Sequence, residues 1–187
     1  LTPKYLLEEQ HGKALFEYED AWPDWRGYAQ IKKEIPGHVT AGVAAGTGIV
    51  NAIPFLGKDK RLVLSTSEQG LGPVAIDPRT LETIGAPAWA AEITSGLAGM
   101  PGFTGHAKWD ARTGELYGWV YRETKPYVTM HFVQADGTVK TRALDDAPYC
   151  TNAHDIWLTE KYVVMPFQPF YSSVDRVRKE NLSLLGW

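Results

Sequence analysis

The chain has 187 residues, of which 44% are hydrophobic and 22% are charged, as is typical of a globular protein. Its net charge is -3 and it has no basic run, so we expect no nucleic acid among its partners. The single cysteine, Cys150, excludes a disulfide within the chain and indicates a reducing, intracellular compartment. No apolar stretch approaches the roughly 18 residues of a membrane span, so we expect a location in the cytoplasm or at the periphery of a membrane.

The pattern of apolar residues predicts an all-β chain. Residues 4–16 fit either an amphipathic helix or a strand followed by a loop, because Gly12 interrupts the pattern. Segments that are alternating or rich in β-branched residues follow, separated by turn residues such as Asp-Pro and Asp-Gly. They predict strands over 47–55, 60–65, 73–77 and 81–84, then over 104–109, 115–121, 127–134 and 138–144, and finally over 152–158 and 161–167.

The predicted strands fall into groups of four, beginning near residues 47, 104 and 152. Four antiparallel strands in roughly 40–50 residues are the repeat of a β-propeller blade, so residues 1–187 are predicted to hold about two and a half to three blades of a single domain. A propeller protects its strand edges by closing into a ring, and this piece would leave edges bare. We therefore expect the remaining blades on a longer chain, with both ends of the domain missing. The absence of an initiator Met before Leu1 agrees with this expectation.

One short segment occurs twice in similar form. Residues 76–82, IDPRTLE, resemble residues 109–115, WDARTGE, which lie 33 positions later. The two copies follow different strands of their groups. The similarity therefore indicates that the same Asp-x-Arg-Thr turn is used at two places, and by itself it does not show a repeated blade.

Two histidines stand at the spacing of one blade. His106 lies in the predicted opening strand of the second group and His154 in that of the third, 48 residues apart. The first strand of a blade is the innermost, so side chains at equivalent positions point to the same axial volume. Converging imidazoles are the ligands that a transition metal requires. The alternative is that both are core histidines bonded to the backbone.

Several segments in this order resemble the carotenoid cleavage oxygenase family, the seven-bladed propellers with non-haem iron that split alkenes. The resemblance covers about 160 residues. Its motifs are TPKYLLE (2–8), RLVLSTSE (61–68), IDPRTLET (76–83), GHAKWDARTGELY (105–117), PYVTMH (126–131) and HDIWLTEKYVV (154–164).

The resemblance implies a role for each matching residue. His106 and His154 correspond to the first two of four histidines that bind Fe(II), and Glu68 corresponds to a carboxylate that orients a ligand histidine, here paired with His154. The other two histidines and the other carboxylates are expected beyond residue 187, so the chain alone should be inactive. The implied reaction adds dioxygen across a conjugated C=C bond and gives two carbonyl products, with no organic cofactor.

The substrate is less closely specified. In the stilbene-cleaving branch of the family, a lysine directly before the carboxylate engages the phenol of the substrate, and Ser67 stands at that position here. This difference favours an apolar polyene, a carotenoid or apocarotenoid, over a phenolic stilbene. Phe103 and Trp157 are candidates to line an apolar tunnel. The apolar connection 87–103 has three interpretations: it roofs that tunnel, contacts a membrane, or is an ordinary packed loop. A non-catalytic propeller that binds partners and an isomerohydrolase of the same family are the alternatives.

Overall fold

The computed structural model describes residues 6, 9–12, 51–56, 61–66, 73–93, 103–122, 124–151, 153–169 and 179–180. Among these residues, no helix is long and apolar enough to cross a membrane. Residues 9–11 are helical up to Gly12, and a 3-10 helix covers Ala88–Glu92. The strands are β1 (Asn51–Leu56), β2 (Arg61–Thr66), β3 (Val74–Ile76), β4 (Thr83–Gly85), β5 (Lys108–Asp110), β6 (Glu115–Tyr121), β7 (Val128–Val133), β8 (Val139–Ala143), β9 (Trp157–Leu158) and β10 (Val163–Val164).

The predicted grouping in fours is confirmed for the first two groups. Strands β1 to β4 form one antiparallel sheet in sequence order, and β5 to β8 form a second. Strands β9 and β10 pair as an antiparallel hairpin, which opens the third group. The first sheet alternates as a half-buried strand requires, since Ile53 and Phe55 are buried in β1 while Ala52 and Pro54 are exposed.

The two central strands of the second sheet, β6 and β7, are buried on both faces. One face of β6 and β7 presents Leu116 and Val133, which pack with residues of the first sheet around Leu64. The other face presents Trp119 and Met130, which pack against the segment that opens the third group. Three layers are therefore stacked face to face, as blades are in a β-propeller. This arrangement explains why β6 is almost continuously apolar where a strand with one solvated face would alternate.

The connection between the two sheets is partly a core element. Trp89, in the 3-10 helix, lies between Phe55 and Phe103, with ring centroids 6.0 and 5.7 Å away. Phe103 in turn covers Gly118 in the middle of β6. Residues 94–102, the rest of this connection, lie outside the described residues. The described part thus packs the first blade against the second.

The repeated Asp-x-Arg-Thr segment forms the same turn twice. The carboxylate of Asp77 accepts the Arg79 N–H (2.9 Å), and that of Asp110 accepts the Arg112 N–H (2.8 Å). The turns close β3 onto β4 and β5 onto β6, so they occupy different places in their sheets. The interpretation as a reused turn is confirmed.

The opening strands are shorter than the sequence predicted. The predicted strand 104–109 is reduced to Lys108–Asp110, because residues 105–106 form a turn. The predicted strand 152–158 is reduced to Trp157–Leu158, because the Ala153 N–H bonds back to the Thr151 carbonyl at 2.9 Å. In both cases local hydrogen bonding bends the backbone just before the sheet begins.

The opening segments of the three groups surround one groove. Strands β1 and β5 contact each other. Residues 51–54, 107–112 and 155–160 line a groove of about 1000 Å³. The opening segments of the three groups therefore lie beside one another.

Candidate metal centre

His106 lies in the turn that precedes β5, not in the strand. Its backbone N–H donates to Oγ1 of Thr104 (3.1 Å), a residue with no exposed surface. The next residue, Ala107, is buried in the core between the two sheets. The backbone is therefore anchored on both sides of His106, while its imidazole remains half-buried.

His154 lies in an irregular segment that precedes β9. On one side of it, Ala153 is fully buried, and its carbonyl accepts the indole N–H of Trp119 at 2.5 Å. Near it on the other side, Ile156 is buried in the same cluster. The segment is held against the second sheet by these two residues, and the His154 side chain is left exposed.

The two imidazoles face each other across the second and third groups. Their ring centroids are 4.4 Å apart and their planes differ by 46°. With metal–nitrogen bonds of about 2.1 Å, two imidazoles bound to one ion place their centroids about 4–5 Å apart. The separation of the two rings therefore lies in the range for two ligands of one transition-metal ion, and imidazole is a donor that such ions bind.

The described residues supply two ligands at most. Within the described ranges, no group of three or more His, Cys, Asp and Glu side chains is placed to hold a metal ion. A complete site around His106 and His154 therefore requires donors from elsewhere.

The surroundings of His106 favour its neutral form. Burial, and then the charge of the neighbouring His154, lower the pKa of His106, and the Asp155 carboxylate opposes them. Since only a deprotonated imidazole nitrogen binds a metal, this shift keeps His106 competent as a ligand at neutral pH.

An ion pair lies directly beside the histidines. The Lys108 ammonium is 2.7 Å from Oδ1 of Asp155. The Ile156 N–H donates to the same oxygen at 2.7 Å. Burial raises the pKa of Asp155, but the hydrogen bonds from Lys108 and from the Ile156 N–H outweigh it, and the pKa lies below its ordinary value. Asp155 is therefore a carboxylate at neutral pH.

The structure describes two of the other residues singled out in the sequence, Phe103 and Trp157. Glu68 and Ser67 lie outside the described residues. Phe103 is fully buried in the core between the two sheets. Trp157 is 61% exposed and lines the groove between the opening segments of the three groups.

His131 has a structural role in the second sheet. It is fully buried, with Nδ1 3.1 Å from Thr141 Oγ1, and burial lowers its pKa to about 4.

Sequence reasoning missed the Lys108–Asp155 bridge. The available signal was positional, since Lys108 follows His106 by two residues and Asp155 follows His154 directly. Two segments whose histidines converge bring their next residues together as well.

Comparisons with known proteins identify the relatives of this chain. A family model described as Retinal pigment epithelial membrane protein matches residues 1–187. Resveratrol cleavage oxygenase 1 of Chaetomium globosum is 27% identical over 185 residues, which are 95% of this chain and 27% of the relative. Isoeugenol monooxygenase of Pseudomonas putida is 30% identical over 184 residues, 96% of this chain and 34% of the relative. Carotenoid 9,10(9',10')-cleavage dioxygenase of Crocus sativus is 26% identical over 129 residues, 69% of this chain and 22% of the relative.

A solved structure extends the comparison to the fold. The crystal structure of Pseudomonas brassicacearum lignostilbene dioxygenase matches with a TM-score of 0.64 and 25% identity, covering 97% of this chain and 34% of that one. The chain thus spans about a quarter to a third of the length of these relatives. With a family model matched along its whole length and the blades of a β-propeller in its fold, this chain belongs to the carotenoid cleavage oxygenase family.

Proposed function

We propose that this chain supplies two of the ligands of an Fe(II) centre that oxidatively cleaves a conjugated C=C bond into two carbonyl products. The observation that carries the proposal is the apposition of His106 and His154 at 4.4 Å between ring centroids. Their placement in the opening segments of successive blades supports it, because segments that line one axis deliver side chains to one point.

The chain's own residues would hold the metal and keep it accessible. Neutral imidazoles of His106 and His154 would bind Fe(II), which supplies the redox chemistry with dioxygen when it is bound. Neutral ligands leave the charge of the ion undiminished, in contrast to a site with a carboxylate ligand. Glu68 is proposed to accept the outer N–H of His154 and so fix its tautomer and orientation.

Two substrate classes are supported by different observations. Ser67, in place of the lysine that engages a phenol in the stilbene-cleaving branch, favours an apolar polyene. Relatives named for resveratrol and isoeugenol favour a phenolic alkene, since both compounds are phenols with a double bond conjugated to the ring. Assay of the intact protein with an apocarotenoid, with resveratrol and with isoeugenol separates the two classes.

Metal analysis of histidine variants tests the proposed ligands. In the intact protein, His106→Ala and His154→Ala are each expected to lose iron and cleavage activity while the protein stays folded by circular dichroism. His11→Ala is the matched control, because His11 is exposed and distant in sequence. Retention of wild-type iron by either ligand variant contradicts the assignment.

Labelled dioxygen tests the reaction class. Cleavage by a dioxygenase places one labelled oxygen atom in each carbonyl product, and a monooxygenase places label in one product. An isomerohydrolase places none, and a non-catalytic propeller gives no product. The proposal expects label in both products, analysed before exchange with water.

A further inference from the structure

The contacts around the two histidines show an arrangement that the ligand set alone does not explain. His106 precedes β5 and His154 precedes β9, so both lie before the hydrogen-bonded parts of their strands. The distance between the two imidazoles therefore depends on how the two segments are attached to each other. Two contacts bracket His154: the Trp119 indole N–H to the Ala153 carbonyl before it, and the Lys108 ammonium to the Asp155 carboxylate after it.

The second contact joins the two proposed ligand-bearing segments directly. Lys108 is the first residue of β5 and follows His106 by two positions, and Asp155 is bonded covalently to His154. The carboxylate is itself oriented, because its Oδ1 also accepts the Ile156 N–H at 2.7 Å, and Ile156 is buried. The ammonium of Lys108 is thus bound to an acceptor that the core holds in place.

We propose that Lys108 and Asp155 are positioning residues, whose ion pair sets the separation of His106 and His154 for metal binding. The inference rests on the proposed function. The side chains are 33% and 47% exposed, and ion pairs with this exposure contribute little to stability. Loss of the pair should therefore change the metal site and leave the fold intact.

The sign of the effect separates positioning from simple electrostatics. Lys108 carries a positive charge beside a site for a cation, so its removal on electrostatic grounds alone would tighten metal binding. Loss of a positioning contact would weaken binding, and outer contacts of this kind typically change metal affinity by about 10–100-fold. Lys108→Met keeps the apolar stem and removes the charge, so the two explanations predict opposite results.

The test is titration of the metal-free intact protein with Co²⁺, followed by the visible absorption of the bound ion. Lys108→Met and Asp155→Asn are each expected to weaken binding about tenfold or more and to alter the Co²⁺ spectrum. Lys108→Arg, which keeps a cation beside the Asp155 carboxylate, is expected to retain both the affinity and the spectrum of the parent. Arg112→Met is the control, because Arg112 forms an exposed pair with Asp110 at the other end of β5.

The results of this titration separate a failure of the positioning role from a failure of the proposed metal site. Unchanged or tighter Co²⁺ binding in Lys108→Met overturns the positioning role, provided that His106→Ala abolishes binding. If His106→Ala binds Co²⁺ as the parent does, the proposed metal site itself fails. Weakened binding in Lys108→Met with a parent-like spectrum also overturns the positioning role, because the ligand geometry is then unchanged.

Discussion

The close approach of Phe103 to Gly118 gives a sharp prediction for the core. Gly118 lies in the middle of β6, and a Cβ added there would overlap the Phe103 ring, with even Cε1 of that ring only 2.8 Å away. Phe103 has no exposed surface and contacts Trp89, so a shift of its ring would disturb the packing of the core. Glycine inside a strand is explained here by this approach.

The cost of Gly118→Ala follows from how the overlap is relieved. Extra volume in a packed core costs about 1–3 kcal/mol, and full displacement of a buried Phe costs about 3–5 kcal/mol. Because Phe103 is buried and packed against Trp89, we expect Gly118→Ala to lower the free energy of unfolding by about 3 kcal/mol. Urea unfolding of the intact protein, monitored by tryptophan fluorescence, measures it.

A double-mutant cycle supplies the control for this prediction. Phe103→Leu alone leaves a cavity, while Gly118→Ala in the Phe103→Leu background removes most of the overlap. The two substitutions together should therefore cost clearly less than the sum of their separate effects. Additive losses, or a Gly118→Ala variant as stable as the parent, would refute the packing argument.

Three further predictions concern single interactions. Leu81 has a φ of 60° and is 77% exposed, and the equivalent turn has Gly114 at the same position. Leu81→Gly should therefore raise the free energy of unfolding by about 0.5–1 kcal/mol, measured by urea unfolding. A lower free energy of unfolding would show that the backbone of Leu81 is not strained. Burial lowers the pKa of His131 from its ordinary value of 6.5 to about 4 in the folded state. Between these two pH values the unfolded state therefore binds one proton more than the folded state does. Stability should fall by about 3 kcal/mol as pH falls from 6.5 to 4, and unfolding of His131→Asn at several pH values should lack that slope. Trp119→Phe leaves the Ala153 carbonyl without its indole donor and should cost about 1–2 kcal/mol, with faster amide exchange in residues 153–156 as the signature.

Local sequence signals predicted the strands well where strand pairing is complete. Strand 115–121 was predicted at its observed bounds, and the Asp-Gly turn at 136–137 closes β7 onto β8 with Gly137 at φ 88°. These features depend on neighbours in sequence. The opening strands were predicted too long, because side-chain and turn hydrogen bonds at Thr104 and Thr151 compete with the strand ladder.

Chain order and spacing by themselves determined the all-β character, the grouping in fours and the two histidines one blade apart. Only the tertiary structure decided that His106 lies in a turn and His154 in an irregular segment before their strands, with imidazoles 4.4 Å apart. It also decided that Lys108 is bonded to Asp155 between the segments. The physical reason is range. Periodicity and turn chemistry act over a few residues, whereas the distance between side chains 48 positions apart depends on how two blades pack through Trp119 and Ala153.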